Sequence, residues 1–436
     1  MTRTKQGARR GRNRGGPYGG RPAGPFGPHG MRRGPMGMMG RPQGGNKQGP
    51  PMTHYAFDPV VVEPHFGKAD PPSNETALND ALLKKSQQLT PTTLEQGSVQ
   101  NLVSKMESVL EGLILSPTGL NIPVEEMRAV GSFKKGTMLA GHPVADLVII
   151  LKETPGAADI ENLANKVQEK LKEATPSEDF PTQANEGGFN DLNFSFCSLL
   201  DFPTQANEGG FNTTSSERAL VRVLVTTLPK NLFEVDTQKH VDSKLLEGAL
   251  ATIRHARWFE ESASHTTIRF LIRLLKDLKK RFAGLAGLTP WLIDLLAFKS
   301  ATGPNGSNLP ITAAFRRALQ LLAAGCFLPG SVGILDPCES GQVRAHSVLG
   351  LEEQDLLCMT SQTLLRTLSH GAYNEILGGD GAVSTSLDTD ITSWGGTIVT
   401  PGEPAYNKEA HKKESELLEK MNEETSGEQK KAGENK

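Results

Sequence analysis

Between Val99 and Leu113 the apolar side chains fall at Val99, Leu102, Val103, Met106, Val109, Leu110 and Leu113. Steps of three and four predict an amphipathic helix with one face on a core. Thr92-Thr93-Leu94-Glu95 just before it has the spacing of a capping box, and Pro117 and Gly119 close it. A second helix is expected over Ala77–Gln88, and a third through Ile160, Leu163, Val167 and Leu171. Short apolar runs interrupt these periods at Ile122–Val130, Asp146–Leu151 and Ala219–Leu228, each of strand length and the last closed by Pro229. Strands alternating with helices predict an α/β palm in this half.

Beyond Pro229 the pattern turns helical. Helices are expected over Lys244–Phe259, Thr266–Phe282, Trp291–Phe298, Ala313–Ala324 and Leu351–Leu368, with loops at 303–308 and 325–341. The fold class expected is α+β, a mixed-sheet palm followed by an all-helical half. Trp258, Trp291 and Trp394 are expected to anchor core or interface packing.

Both ends depart from this patterning. Residues 1–50 hold eleven Lys or Arg, no Asp or Glu, and abundant Gly, Pro and Met. So little apolar surface cannot offset the entropy of ordering, so a disordered tail is expected. Its RGG-type text, with Arg9, Arg10, Arg12 and Arg14 and the interleaved Tyr18 and Phe26, suits phosphate contact and base stacking, so these arginines are candidate RNA ligands. Residues 51–75, with Val60-Val61-Val62, are expected to lie as an extended arm. Residues 401–436 are expected to be a disordered charged tail, with seven Lys and eight Glu between Lys408 and Lys436, and are given no site. The net charge of −2 therefore hides a basic start and an acidic remainder.

Cys197, Cys326, Cys338 and Cys358 lie far apart without a CxxC, which argues against a zinc site or a disulfide framework and fits a reducing compartment. No apolar run has membrane-spanning length and no signal-peptide pattern opens the chain, so a soluble intracellular protein is expected. One oddity is an identical twelve-residue block at Asp179–Asn190 and again at Asp201–Asn212. Two copies cannot build a solenoid. One of them, with Asp191–Leu200, is expected to be an insertion (191–212 or 179–200) into the palm.

The candidate chemistry sits in GSFKKGTMLAGHPVADLVIIL, Gly131–Leu151. A glycine and a serine opening a helix suit phosphates, because backbone N–H groups point outward and no Cβ blocks approach. Asp146, heading a buried strand, is where a phosphate-bound Mg²⁺ would be held.

GSFKKGT followed by ADLVIIL resembles the nucleotidyltransferase-like fold of the 2′-5′ oligoadenylate synthetases and poly(A) polymerases, and more closely the DZF domain (domain associated with zinc fingers). The resemblance continues through ALATIRHARWFEE (Ala249–Glu261), LIRLLKDLKKRF (Leu271–Phe282), LTPWLIDLL (Leu288–Leu296) and FLPGSVGILDPCESG (Phe327–Gly341), covering roughly residues 70–400. It implies a nucleotidyltransferase-like half over 76–235 and a helical, dimerising half over 236–400.

Active relatives carry Asp-x-Asp at the start of the second strand and a third Asp on a later one. Here the first two positions are Val144 and Asp146, and the third is expected near Thr226, in a strand without Asp or Glu. One carboxylate cannot organise two metal ions, and His142 is a poor Mg²⁺ ligand, so a pseudoenzyme with no catalytic residues is expected. Nucleotide binding could persist at Gly131, Ser132 and Asp146, with Arg273 and Lys276 matching basic positions that meet the triphosphate in oligoadenylate synthetases. No cofactor is required, and an NTP with Mg²⁺ is the ligand the resemblance allows.

The resemblance further implies a heterodimer with a larger DZF protein of the interleukin enhancer-binding factor 3 type. That partner would bring most contacts to double-stranded RNA and DNA. A nuclear location, including the nucleolus and with some protein in the cytoplasm, follows from the same resemblance. The competing readings are an active template-independent nucleotidyltransferase and a nucleotide-sensing binding module.

Overall fold

The computed structural model describes residues 57–63, 75–176, 182–184, 209–215, 219–236, 238–303, 305–341, 343–379 and 386–406. The expected basic tail, with Arg9, Arg10, Arg12 and Arg14, lies outside the described residues, as do residues 407–436 of the expected charged tail and most of the duplicated segment.

The palm is a five-stranded sheet in the order β1-β2-β5-β4-β3. Its strands are β1 (Val124–Val130), β2 (Val144–Leu151), β3 (Thr182–Ala184), β4 (Gly210–Thr214) and β5 (Leu220–Thr227). Strand β2 runs parallel to β5 and antiparallel to β1, whereas β4 is antiparallel to both its neighbours. Every residue of β2 is buried, which is why it reads as an unbroken apolar run with one carboxylate.

Side chains of β2 alternate between two cores. Leu147, Ile149 and Leu151 join the stripe of α3 (Thr93–Leu115) and Ile160, Leu163 and Val167 of α5 (Ala157–Ala174). Val148, on the other face with Asp146, meets Ala249 and Ala256 of α6 (Ser243–Ser262). The capping box of α3 forms as expected: Thr92 N donates to Glu95 Oε2 at 2.7 Å and Glu95 N donates to Thr92 Oγ1 at 3.2 Å.

In the helical half α8 (Pro290–Ala301) packs between α7 (Thr266–Arg281) and α9 (Ile311–Ala323), and α10 (Leu351–Ser369) packs on α9. Helix α8 buries Leu292, Ile293, Asp294, Leu295 and Leu296 in succession, so it is apolar nearly all round. The N-terminal helix α2 (Thr76–Leu89) crosses back to this half, inserting Leu78 and Leu82. A short helix α11 (Tyr373–Leu377) and a hairpin of β6 (Thr392–Trp394) and β7 (Thr397–Val399) finish the described chain.

Two expectations change. Residues Pro59–Val62 are not extended but form a single helical turn, α1. Pro59 fits the first helical position, and Asp58 Oδ1 accepts from Val61 N at 3.3 Å, which offsets the low helix propensity of three valines. The duplicated block is also used in two pieces. Strand β3, at the sheet edge, comes from the first copy and its partner β4 opens within the second, so residues 185–208 connect the two in sequence. The second copy suits β4 because Thr213 is buried there, where the first copy would put the carboxylate of Asp191.

Candidate functional site

Strand β1 ends at Val130, the register partner of Asp146, and the chain turns at once into α4 (Gly131–Lys135). Gly131 has φ +67°, and a Cβ added there would lie 2.0 Å from Asp146 Oδ2. Glycine is therefore required for two reasons, the left-handed backbone and the room for the carboxylate. Helix α4 closes after one turn at Gly136, also left-handed, so it lacks the aligned peptides from which a long helix draws its dipole.

A third acidic position is expected near Thr226. The parallel register sets Thr226 opposite Ile150, and the residue opposite Asp146 is Arg222. Thr226 is buried and donates its hydroxyl to Leu246 O at 2.8 Å, a structural role. Arg222 reaches Asp146 Oδ1 with Nη2 at 2.6 Å and Nε at 2.7 Å. The residue of this site that the sequence did not place is thus a cation beside the one carboxylate. Its signal was present in the alternation of LVRVLVTT, where Arg222 is the lone charge.

Ser132 is held from the helical half. Lys276 Nζ donates to Ser132 Oγ at 2.7 Å. One turn earlier, Arg273 donates from Nη2 to Gly136 O at 2.7 Å and from Nε to Met138 O at 3.0 Å. Burial and the neighbouring Arg269 lower its pKa from the usual arginine value. Two of its donors therefore already serve main-chain carbonyls. Arg269, Arg273, Lys276 and Lys280 fall at steps of four, three and four, one polar stripe of α7 opposite its buried Ile268, Leu271, Leu275 and Leu278. Arg269 lies against Gly136, and among the described residues its buried Nε has no hydrogen-bond partner.

The next contact locks the halves together. Lys135 Nζ lies 2.5 Å from Asp294 Oδ2, with both side chains almost fully buried. The same ammonium lies 5.6 Å from the Trp291 ring centroid and 5.8 Å from that of Phe259. A carboxylate inside the apolar helix α8 needs such a partner. His142 occupies the loop before β2, with its pKa lowered chiefly by burial and then by Lys280.

The structure thus joins Gly131 to Asp146 and Ser132 to Lys276, sets Arg273 on the adjoining loop, and adds Arg222 and Arg269. A Mg²⁺ site does not fit this donor set. Asp146 is the one carboxylate among the expected acidic positions, and its Oδ1 already accepts two hydrogen bonds from a guanidinium.

The class defined here is a mixed-sheet palm whose first strand turn faces a basic stripe of a following helical half. The chain belongs to the DZF-domain family. Residues 37–264 match the DZF N-terminal domain and residues 267–400 the DZF C-terminal domain. The two matches meet between α6 and α7.

Among solved structures, the chain is similar to CdnC of E. coli MS115-1 in complex with HORMA-deltaN. That match has 14% identity and a TM-score of 0.44, covering 70% of this chain and 98% of that one. It is similar also to the CD-NTase CdnG of Bradyrhizobium diazoefficiens in complex with GTP, with 13% identity, a TM-score of 0.41 and coverage of 70% and 94%. A third is the Cid1 poly(U) polymerase, with 10% identity, a TM-score of 0.34 and coverage of 57% and 74%.

Proposed function

We propose that this chain is a catalytically inactive, nucleotidyltransferase-like subunit. In this reading it pairs with a larger, double-stranded-RNA-binding DZF protein of the interleukin enhancer-binding factor 3 type, chiefly in the nucleus, to regulate transcription and RNA processing, stability or translation. The observation that carries the inactivity is the Asp146–Arg222 pair. Two-metal phosphoryl chemistry needs several carboxylates converging on one point. Here β2 offers Val144 and Asp146 on that face, and the neighbouring strand offers a guanidinium. A fixed positive charge stands where a divalent ion would require negative ones.

Pairing is supported by apolar side chains left exposed on the helical half. Leu335, Val343, Val348 and Leu351 follow one another along the chain, Ile391 precedes the terminal hairpin and Ile398 lies on its second strand. Side chains of this kind mark an interaction surface where they join into one contiguous apolar patch. Helix α10 itself is mostly internal, with Leu357, Leu364 and Leu368 buried, so its exposed N-terminal end and the 335–348 segment are the candidate contacts. Pulldown from nuclear extract followed by mass spectrometry tests this. Recovery of a larger DZF protein at unit stoichiometry is expected, and recovery of none would contradict the reading. Labelled ATP or UTP with Mg²⁺ or Mn²⁺ tests inactivity, with no incorporation expected; incorporation abolished by Asp146→Ala would overturn it.

A nucleotide-sensing role has its own support in Arg269, whose buried Nε has no partner among the described residues beside a segment already contacted by Lys276 and Arg273. Partner affinity should then differ with and without saturating ATP. Equal affinities would remove this role, because a ligand without differential binding shifts nothing.

A further inference from the structure

We propose that His255, Asp336 and Cys338 form a divalent-metal site, suited to Zn²⁺, that ties the long helix α6 to the 331–344 loop of the helical half. One ligand atom from each residue lies within 4.8 Å of the other two. Nitrogen, carboxylate oxygen and thiolate sulfur are the donors zinc takes, with bonds of about 2.0–2.3 Å and tetrahedral geometry. Such an ion sets its ligand atoms about 3.3–3.8 Å apart. Closing from the present spacing needs side-chain adjustments of about an ångström.

The surroundings are arranged as an outer shell. Trp291 Nε1 donates to Asp336 Oδ2 at 2.7 Å, and Cys338 N donates to Asp336 Oδ1 at 2.8 Å. Each oxygen keeps a lone pair for a metal. The His255 ring lies flat on Trp291, with centroids 3.7 Å apart and planes 6° from parallel. One tryptophan thus orients two of the three ligands, the role that outer-shell groups play around bound metals. The neighbouring cations each have a carboxylate of their own, Arg254 with Glu339 and Lys135 with Asp294.

Binding would displace the Cys338 thiol proton to solvent, leaving one thiolate and one carboxylate to balance a divalent charge. Water completes the fourth position. His255 lies in the part of the chain that matches the DZF N-terminal domain, while Asp336 and Cys338 lie in the C-terminal one. The ion would therefore cross-link the two.

The test uses the full-length protein, stripped with chelator and titrated with Co²⁺ as a spectroscopic probe. One equivalent should bind with tetrahedral visible bands and a thiolate charge-transfer band, and Zn²⁺ should displace it. Cys338→Ser should lose the charge-transfer band. His255→Phe, which keeps the stack on Trp291, should weaken binding by about 10-fold or more, at least the loss that follows removal of an outer-shell partner. Cys358→Ser should change neither. Far-ultraviolet circular dichroism checks that each variant is folded, and Asp336→Asn, expected to weaken binding comparably, replaces any that is not. A wild-type protein that gives no tetrahedral cobalt spectrum overturns the proposal, as does an unchanged spectrum and affinity in Cys338→Ser.

Discussion

Arg222 and Asp146 face each other across the parallel β5–β2 pair, with Nη2 2.6 Å and Nε 2.7 Å from a single carboxylate oxygen. Replacing Arg222 by Met leaves that carboxylate mostly buried beside an apolar side chain. The loss expected is about 2–4 kcal/mol, somewhat below a fully enclosed pair because Arg222 keeps some contact with water. Adding Asp146→Leu should restore most of it, and urea denaturation of the single and double variants measures both.

Lys135 and Asp294 form a more enclosed pair between α4 and α8. Lys135→Met should destabilise by about 3–5 kcal/mol, since an uncompensated charge remains within the helical core. Lys135→Met with Asp294→Leu should recover most of that, because an apolar pair of similar volume needs no partner. Thermal unfolding of the three proteins checks this ordering.

His346 is buried against Phe327, and its pKa is lowered first by burial and then by Arg344. A depressed imidazole pKa means that the unfolded chain takes up the proton first as pH falls. Stability is therefore full above about pH 6.5, the ordinary imidazole value, and declines below it towards the lower folded value. Denaturant midpoints at pH 7.5 and 5.5 should show this decline. His346→Leu should reduce the difference between the two pH values.

Deleting residues 185–206 joins Ala184 to Asn207 and restores a single copy of the repeated block. The paired strands β3 and β4 keep their own residues and gain a short connection. Closing a shorter loop should leave the fold intact and stabilise it by about 1–2 kcal/mol. Denaturant midpoint and partner pulldown test the deletion; loss of folding would show that the extra segment is structurally required.

Much of this was legible in the sequence because burial patterns are local. The stripe from Val99 to Leu113, the strand headed by Asp146 and the five later helices each carry their period in their own residues. Gly131 was legible too, since a glycine between a strand and a helix announces a special backbone. Arg222 was not placed, because strand register depends on pairing across 76 positions and a shift of four residues moves a different side chain beside Asp146. The Lys135–Asp294 pair was hidden for the same reason: an acid in an apolar helix shows that a partner must exist, not which residue supplies it. Residues 59–62 misled because three valines favour extension, while Asp58 and Pro59 locally decide for a turn.

The most direct measurement of the altered palm is Mn²⁺ titration followed by electron paramagnetic resonance, comparing the wild type with Asp146→Asn and with Val144→Asp combined with Arg222→Asp. Identical Mn²⁺ binding by the wild type and Asp146→Asn is expected, with an additional bound ion only where the acidic positions are rebuilt. A wild-type Mn²⁺ site that vanishes in Asp146→Asn would contradict the assignment of Arg222 as the cation that pairs with this carboxylate.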